Sequence, residues 1–302
     1  MKLLVTGASG FIGSNIAKTL VEYKHEVFAI GSRSENMVPG VKLFISTHLQ
    51  GIDWDRIPSV DAVFHLAANN DTLCQDEKEI RRSNVEDAKI LMEKMYNKGC
   101  KRFIYASSTA VYGNEPAPYR EDETRFNPLN LYGKSKVAME LAGNSFASKR
   151  PDAIFIPMRY CNVYGPGEGH KGHRMSMIGQ LLRKMMAGKQ PKLFRDGEQK
   201  RDWIHVHDVV RANILALNHP VSEAFNCGYG QAVTFNQLVG WINDAVGNVR
   251  KISPEYIDNP YEDKYQTFTE CGMWKANNLL GFTAQISPEE GIHQYHRHLS
   301  AQ

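Results

Sequence analysis

A tyrosine and a lysine four residues apart are the side chains of this chain best suited to chemistry. If their segment is helical, Tyr132 and Lys136 share one face, and the ammonium group would lower the pKa of the phenol. Ser108 follows a predicted strand upstream and offers a hydroxyl to the same oxygen. A phenolate held in this way can take the proton of a carbinol while hydride leaves its carbon for a nicotinamide. The alternative is a surface helix on which the two residues are four apart by chance.

A glycine-rich turn lies at the start of the chain. Gly7, Gly10 and Gly13 form a G-x-x-G-x-x-G pattern directly between a predicted strand and a predicted helix. In such a turn the backbone can approach a pyrophosphate, and the helix N-terminus offers unpaired N–H groups. We therefore predict a dinucleotide site that also includes Phe11 and Ile12. The alternative is a tight strand–helix turn that binds no ligand.

The residues that end the second predicted strand bear on the choice of nicotinamide cofactor. An acidic residue there usually binds the ribose 2′-hydroxyl of NAD, whereas this chain has Ser32 and Arg33. An arginine and a small hydroxyl suit a 2′-phosphate, so we predict NADP, with NAD as the alternative. In that alternative Arg33 is a solvated surface residue.

The first half of the chain alternates short apolar runs with longer amphipathic stretches, a pattern typical of parallel strands wrapped by helices. We predict an α/β fold, with a Rossmann-type doubly wound parallel sheet and a smaller C-terminal α/β substrate lobe. The NAD(P)-binding domain is assigned to residues 1–166, with 201–228 returning to it, and the substrate-binding lobe mainly to 167–302. The main predicted strands are 2–6, 26–30, 62–66, 102–106, 153–160 and 192–194, and the predicted helices are 13–23, 84–98, 131–148, 175–187, 235–245 and 288–299.

Composition excludes several classes of partner. The 302 residues carry a formal net charge of +3, which is too small and dispersed for a nucleic-acid-binding face. No apolar run reaches the roughly 18 residues of a membrane span, and a strand pattern begins at Lys2, which leaves no room for a signal peptide. Five scattered cysteines fit a reducing cytoplasm better than a disulfide framework. We therefore expect a cytoplasmic protein with no nucleic-acid or membrane partner. No metal is expected either, because His293, His296 and His298 lack a suitably spaced carboxylate or cysteine.

These motifs and four further segments resemble the extended short-chain dehydrogenase/reductase family, in its nucleotide-sugar epimerase/dehydratase group. The segments are HLAA at 65–68, ASSTAVYG at 106–113, RYCNVYGP at 159–166 and RDWIHVHDV at 201–209. The resemblance implies a homo-oligomer that binds a nucleotide-diphosphate sugar through Asn162 and Arg201. The guanidinium of Arg201 suits a diphosphate, and the alternative is a structural salt bridge with Asp202 or another neighbour. The resemblance also implies that the cofactor contacts Tyr132 and Lys136 and is lined by Leu66, Ala67, Ala68, Asn84 and Val163.

The type of reaction follows from two positions next to Ser108. Sugar 4,6-dehydratases of this group carry an Asp-Glu pair there, whereas this chain has Thr109 and Ala110, which cannot do acid/base chemistry at neutral pH. The resemblance therefore favours epimerisation, in which a carbinol is oxidised, the ketone presents its other face and the hydride returns. Segments GEGHKG at 167–172, PKLF at 191–194 and KYQTFT at 264–269 are similar to ADP-glycero-manno-heptose 6-epimerases. In that family the lysine that matches Lys171 is a second acid/base, and the alternative is a loop lysine that binds phosphate or nothing.

The same resemblance implies the remaining contacts with the nucleotide-sugar. His173 and Gln180 stand in the sugar pocket, where the family has a serine and a histidine. We predict an NADP-dependent epimerase of an ADP-heptose-like substrate in lipopolysaccharide biosynthesis. A UDP-hexose 4-epimerase that holds NAD, or another epimerase or reductase of a GDP- or UDP-sugar, remains the alternative, and a non-catalytic cofactor-binding regulator is disfavoured. Besides Ser108, the residues implied to contact the substrate are Phe194, Arg195, Asp196, Gly197 and Tyr265.

Overall fold

The computed structural model describes residues 1–33, 38–45, 49–123, 125–247, 251–260 and 266–301. Its strands are β1 (Lys2–Thr6), β2 (Glu26–Gly31), β3 (Lys42–Ile45), β4 (Ala62–His65), β5 (Arg102–Ser108), β6 (Ile154–Tyr160), β7 (Asn162–Tyr164), β8 (Lys192–Phe194), β9 (Lys200–His205), β10 (Phe225–Cys227), β11 (Ala232–Thr234), β12 (Glu255–Ile257) and β13 (Phe268–Thr269). Its α-helices are α1 (Phe11–Glu22), α2 (Glu77–Arg81), α3 (Asp87–Asn97), α4 (Leu131–Ser148), α5 (Met177–Met186), α6 (Val206–Ala216), α7 (Phe235–Val246), α8 (Trp274–Leu279) and α9 (Pro288–Ser300).

Seven of the described strands form one parallel sheet in the order β10-β6-β5-β4-β1-β2-β3. Its central strands are buried because helices cover both faces, which is how all-parallel sheets bury their apolar side chains. On one face α1 and α6 pack around Ile16 and Val209. On the other face α3 and α4 pack around Met92 and Phe146. The predicted Rossmann-type doubly wound fold is confirmed.

The order of the strands reverses beside β1. Strands β2 and β3 extend the sheet on one side of β1, and β4, β5, β6 and β10 extend it on the other. Open α/β sheets bind ligands at such a switch point, outside the carboxyl ends of the strands. The segments that follow β1, β4 and β5 all begin at this edge, so residues far apart in sequence can form one site there.

A smaller group of elements lies in the second half of the chain. Strand β9 pairs with β7, β11 and β13, and β8 pairs with β12. Helices α5, α7 and α9 pack around Leu182, Leu238 and Tyr295. Within the segment predicted to return to the main domain, β10 joins the seven-stranded sheet, whereas β9 lies in the small sheet. The division of the chain near residue 166 stays a prediction.

Two of the five cysteines are paired. Cys161, which follows β6, forms a disulfide with Cys271, which follows β13, across 110 residues of sequence. Cys74, Cys100 and Cys227 are free thiols. The interpretation of the cysteines as a set without disulfides is therefore wrong for this pair. The fold brings together two distant segments, and no pattern in the sequence indicates that they meet.

None of the helices in the described ranges combines the length and the apolar character that crossing a membrane requires.

Candidate active site

The glycine turn after β1 has a backbone that only glycine can provide. Gly7 has a φ of +67°, and a Cβ on it would lie 2.7 Å from the Ala67 nitrogen. A Cβ on Gly13 would lie 2.3 Å from the Gly7 oxygen. Within the described part of the chain, the Gly10 N-cap of α1 has no side-chain cap, so the first N–H groups of the helix remain available to an anion. This turn fits the pyrophosphate of a dinucleotide.

A cavity of about 340 Å³ opens from this turn along the carboxyl edge of the sheet. It joins the glycine turn to the helix that carries the candidate acid/base residues. Of the residues predicted to bind the cofactor or to act in catalysis, it is lined by Gly7, Gly10, Phe11, Ile12, Gly13, Ser32, Arg33, Leu66, Ala67, Ala68, Tyr132, Lys136 and Lys171.

Helix α4 sets the position of Tyr132. It begins after Asn130, whose side-chain oxygen accepts a hydrogen bond of 2.8 Å from the Gly133 nitrogen. Gly143 lets the helix lie against β6, since a Cβ there would come within 2.1 Å of the Phe155 ring. Burial raises the pKa of Tyr132, and the neighbouring Ser108 hydroxyl opposes that rise. The predicted pair of hydroxyls is therefore close together in the structure.

Lys136 is buried beneath the cavity, with a relative exposure of 2%. Its Nζ donates a hydrogen bond of 2.7 Å to the Ala106 oxygen and one of 3.3 Å to the Tyr105 hydroxyl. The same nitrogen lies 5.6 Å from the centre of the Tyr132 ring. Burial lowers the pKa of Lys136 to about 7, and nearby Glu140 opposes that shift. The lysine can therefore change charge near neutral pH.

Lys171 reaches the cavity from a different element. It lies in the first of two 3₁₀ turns within Gly169–Arg174, which are separated by a kink at Gly172, and its backbone nitrogen donates to the Glu168 oxygen at 2.9 Å. Its Nζ lies 5.4 Å from the centre of the Phe11 ring. Burial lowers the pKa of Lys171, Glu168 opposes that change and Arg174 adds to it. A second titratable side chain thus lines the cavity that Tyr132 lines.

In the described part of the chain, two residues predicted to line the cofactor, Asn84 and Val163, are not among those that line the cavity. Asn84 accepts a hydrogen bond of 2.7 Å from the Asn69 nitrogen and donates to the Asn69 oxygen and to Ser135 Oγ, each at 2.9 Å. It therefore holds the segment after β4 against α4. Val163 lies in β7, where it pairs with Ile204 of β9.

The predicted substrate residues of the second half are spread over several elements. Asn162 donates to the Asp202 oxygen at 2.9 Å, and Arg201 donates to the Lys200 oxygen at 2.9 Å and to the Gln266 oxygen. The Asp202 carboxylate accepts hydrogen bonds from three backbone N–H groups, those of Tyr229, Gly230 and Cys271. These contacts fix the small sheet beside the end of β6.

The other predicted substrate residues lie further along the chain. Phe194, Arg195, Asp196 and Gly197 form a turn after β8, in which the Gly197 nitrogen donates to the Phe194 oxygen at 3.0 Å. Gln180 lies in α5 and donates to the Met175 oxygen at 2.9 Å. Tyr265 and the side chain of His173 lie outside the part of the chain that the structure describes.

Several cavity residues were missed by the sequence analysis. His170 and Arg174 lie one residue before and three residues after Lys171, and basic residue types beside a predicted phosphate site were a usable signal. Leu49 and Asp87 carry no such signal in the sequence, because they come from distant segments. The Leu49 nitrogen donates a hydrogen bond of 3.2 Å to Asp87 Oδ2, and this contact brings them together. The other lining residues are Ser9, Ile30, Gly31, Asn70, Ser83, Ala106, Ser107 and Tyr160.

Comparison with known proteins identifies the family of the chain. Residues 3–228 match the NAD dependent epimerase/dehydratase family. The chain is 32% identical over 289 residues to an ADP-L-glycero-D-manno-heptose-6-epimerase of Brachyspira hyodysenteriae, covering 90% of each chain. It is also 32% identical to the Helicobacter pylori ADP-L-glycero-D-manno-heptose-6-epimerase, whose crystal structure superposes with a TM-score of 0.89 over 100% of this chain and 96% of that one. MoeE5, solved with UDP-glucose and NAD, is 30% identical, with a TM-score of 0.87 over 100% of both chains.

The family match covers most of the chain and includes the glycine turn, Tyr132 and Lys136. The sequence-based prediction of an enzyme of the nucleotide-sugar epimerase kind is confirmed at the level of the family. The chain belongs to the NAD dependent epimerase/dehydratase family.

Proposed function

We propose that the protein inverts a carbinol of an ADP-heptose-like nucleotide-sugar by transient oxidation and re-reduction with bound NADP. The observation that carries the proposal is that Tyr132, Lys136 and Lys171 line the cavity that begins at the glycine turn. A phosphate-binding turn and two separate proton carriers in one cavity are the parts that such a reaction requires. The 32% identity to two heptose 6-epimerases supports the class of sugar.

In this mechanism Tyr132 is the first acid/base. The bound cofactor would supply the acceptor that takes hydride from the carbinol carbon and later returns it. Tyr132 removes the hydroxyl proton as hydride leaves the carbon. The neighbouring Ser108 hydroxyl donates a hydrogen bond to the tyrosine oxygen. The ammonium of Lys136, one helical turn away, favours the phenolate. Thr109 and Ala110 supply no further acid or base, so water is not eliminated from the sugar.

Lys171 is proposed as the second acid/base. It comes from the 3₁₀ turn rather than from α4, so it approaches the cavity independently of Tyr132. Because burial lowers its pKa, it can exchange a proton closer to neutral pH than an exposed lysine. Two carriers on different elements suit a ketone that is reduced on the face opposite to the one from which hydride left. Lys171→Ala should therefore abolish inversion while leaving cofactor affinity within a few fold.

The preference for NADP rests on the charge around the end of β2. Arg33 lies there and lines the cavity together with His170 and Arg174. Burial lowers the pKa of His170 and Arg33 adds to that shift, so the imidazole lies near the guanidinium. A 2′-phosphate would accept charge-assisted hydrogen bonds from Arg33, whereas a 2′-hydroxyl carries no charge to pair with it. NAD, which MoeE5 holds, is the alternative.

Calorimetric titration of the apoprotein with each cofactor tests this choice. NADP should bind at least about tenfold more tightly than NAD, because a charge-assisted hydrogen bond contributes that much. Arg33→Ala should weaken NADP binding and leave NAD binding unchanged. Tighter binding of NAD by the unaltered protein would reject the assignment.

Product analysis tests the proposed substrate. The enzyme would be incubated with ADP-heptose, and separately with UDP- and GDP-hexoses, and the epimers resolved by NMR. Inversion of the heptose at the highest kcat/KM is the expected result. Turnover of UDP-glucose alone would favour the alternative of a UDP-hexose 4-epimerase. The likeness to MoeE5, which was solved with UDP-glucose and NAD, supports only the UDP-sugar part of that alternative. A complete lack of turnover would favour a non-catalytic role.

The remaining assignments are proposals from the sequence. They are the boundary between the two lobes near residue 166, self-association through long helices such as α4, action in the cytoplasm, and a place in lipopolysaccharide biosynthesis. Light scattering of the purified protein would give the oligomeric state, and a monomer at micromolar concentration would reject self-association.

A further inference from the structure

A buried tyrosine that the proposed mechanism does not use lies directly beneath the catalytic lysine. Tyr105 is in β5, three residues before Ser108, and is 1% exposed. Its hydroxyl accepts a hydrogen bond of 3.3 Å from Lys136 Nζ, and the same nitrogen lies 4.8 Å from the centre of its ring. Both the oxygen and the π-face of Tyr105 thus contact the ammonium group.

Two neighbouring residues of one strand fix the ammonium group. An ammonium has three N–H donors, and Ala106 and Tyr105 take two of them. The remaining donor is the one that can serve the cavity that Lys136 lines. Because the two acceptors lie on the rigid central sheet, the direction of that third donor is set by β5 rather than by the flexible lysine side chain.

The Tyr105 ring itself is held on both sides. His65 of β4 lies 5.6 Å from it, ring centre to ring centre, and Phe155 of β6 lies 5.9 Å from it in a stacked arrangement. His65 is anchored in turn by a 2.6 Å hydrogen bond between its Nδ1 and Thr6 Oγ1, which also accepts from the Ala67 nitrogen. The Tyr105 hydroxyl therefore has little freedom to move away from Lys136.

The charged and titratable groups around Lys136 leave Tyr105 as its main neutral partner. Glu140, one turn along α4, forms a buried ion pair with Arg159 at 2.7 Å and also accepts a hydrogen bond from Ser107. Burial and Lys136 lower the pKa of His65 to about 3, so the imidazole is neutral. Tyr132 lies on the cavity side of the lysine. Among the described residues of this set, only the Tyr105 side chain accepts a hydrogen bond from the ammonium.

We propose that Tyr105 is a positioning residue of the active site, whose hydroxyl holds the Lys136 ammonium in its charged form and in place beside Tyr132. The inference rests on the proposed roles of Tyr132 and Lys136. Tyr105 touches neither substrate nor cofactor and acts only through the lysine.

Tyr105→Phe tests the inference because it removes the oxygen and keeps the ring. Loss of a hydrogen bond to a charged group should move the Lys136 titration down by about one pH unit. Lysine labelled with ¹³C at Cε reports that titration by NMR, with Lys136→Arg used to assign the signal. The ratio of kcat/KM between variant and parent should be near one at pH 5.5, where the ammonium is charged in both, and should fall to about one tenth by pH 8.

Tyr112→Phe is the matched control. Tyr112 is also a fully buried tyrosine, but its hydroxyl bonds Asn226 Oδ1 at 2.7 Å and accepts from Arg159. The Tyr112→Phe variant should have a lower thermal unfolding temperature. Its ratio of kcat/KM to that of the parent should not change with pH. Thermal unfolding and cofactor affinity at pH 5.5 check that Tyr105→Phe is folded.

A second measurement needs no variant. The ¹³Cζ signal of Tyr105 in the unaltered protein should shift with the same midpoint as the Lys136 Cε signal. A Tyr105 signal that does not shift as Lys136 titrates would overturn the inference. A Tyr105→Phe enzyme with the pH profile of the parent would overturn it as well. The proposed function fails by a different result, namely full activity in Tyr132→Phe, so the two outcomes can be told apart.

Discussion

Replacing Gly13 with alanine should strongly weaken cofactor binding without unfolding the protein. The new Cβ would lie 2.3 Å from the Gly7 oxygen, and ordinary contact begins at 3.4 Å, so the turn must open by about 1 Å. Such a movement misaligns the N–H groups at the start of α1 that would face the pyrophosphate. Each charge-assisted hydrogen bond is worth about 1.5–3 kcal/mol, so losing one of them should raise the Kd of the cofactor roughly 10- to 150-fold.

Calorimetric titration of NADP and NAD into both proteins measures this effect, and Gly240→Ala is the matched control. Gly240 lies in α7, and a Cβ on it would meet no atom within 4 Å. This control should leave cofactor affinity unchanged and raise the free energy of unfolding by about 0.5–1 kcal/mol. Parent-like affinity of Gly13→Ala for both cofactors would refute the reasoning that the close approach of the two backbone segments shapes a phosphate site.

Three further results are expected. Tyr132→Phe should lower kcat by roughly 10²–10⁴-fold, with cofactor affinity within about threefold by calorimetry, and retention of parent kcat would contradict its acid/base role. Because the folded pKa of Lys136, about 7, lies below its ordinary 10.5, the unfolded chain binds this proton more tightly. The free energy of unfolding should therefore rise by about 1.4 kcal/mol per pH unit between these values, and urea titrations should find this slope removed in Lys136→Met. Glu140→Gln should cost about 3–5 kcal/mol, because it leaves the buried Arg159 charge unpaired, whereas Glu123→Gln, in an exposed ion pair, should cost less than about 1 kcal/mol.

Local signals in the sequence were enough for the elements that carry the cavity. Helix α4 begins and ends where it was predicted, since Asn130 supplies an N-cap and the following residues favour a helix. The glycine turn and β1 were predictable for the same reason, because each is defined by residues adjacent in sequence. Tyr132 and Lys136 line the cavity together because their spacing along α4 is a local property.

Features made by distant contacts were not predictable. Strand β7 has three residues, and its partner β9 begins almost forty residues later, so neither carries a pattern that assigns it to a separate small sheet. The bond between Cys161 and Cys271 and the placement of Leu49 beside Asp87 depend on the same kind of contact.

Isotope tracing at the inverted carbon is the most direct test of transient oxidation. The substrate would carry deuterium on that carbon, and the product would be examined by NMR and mass spectrometry after full turnover in ordinary water. Hydride transfer to and from a bound cofactor requires that the product keep its deuterium, with the configuration inverted. Loss of the label to solvent would contradict the proposed chemistry, because it would show that the carbon is deprotonated rather than oxidised.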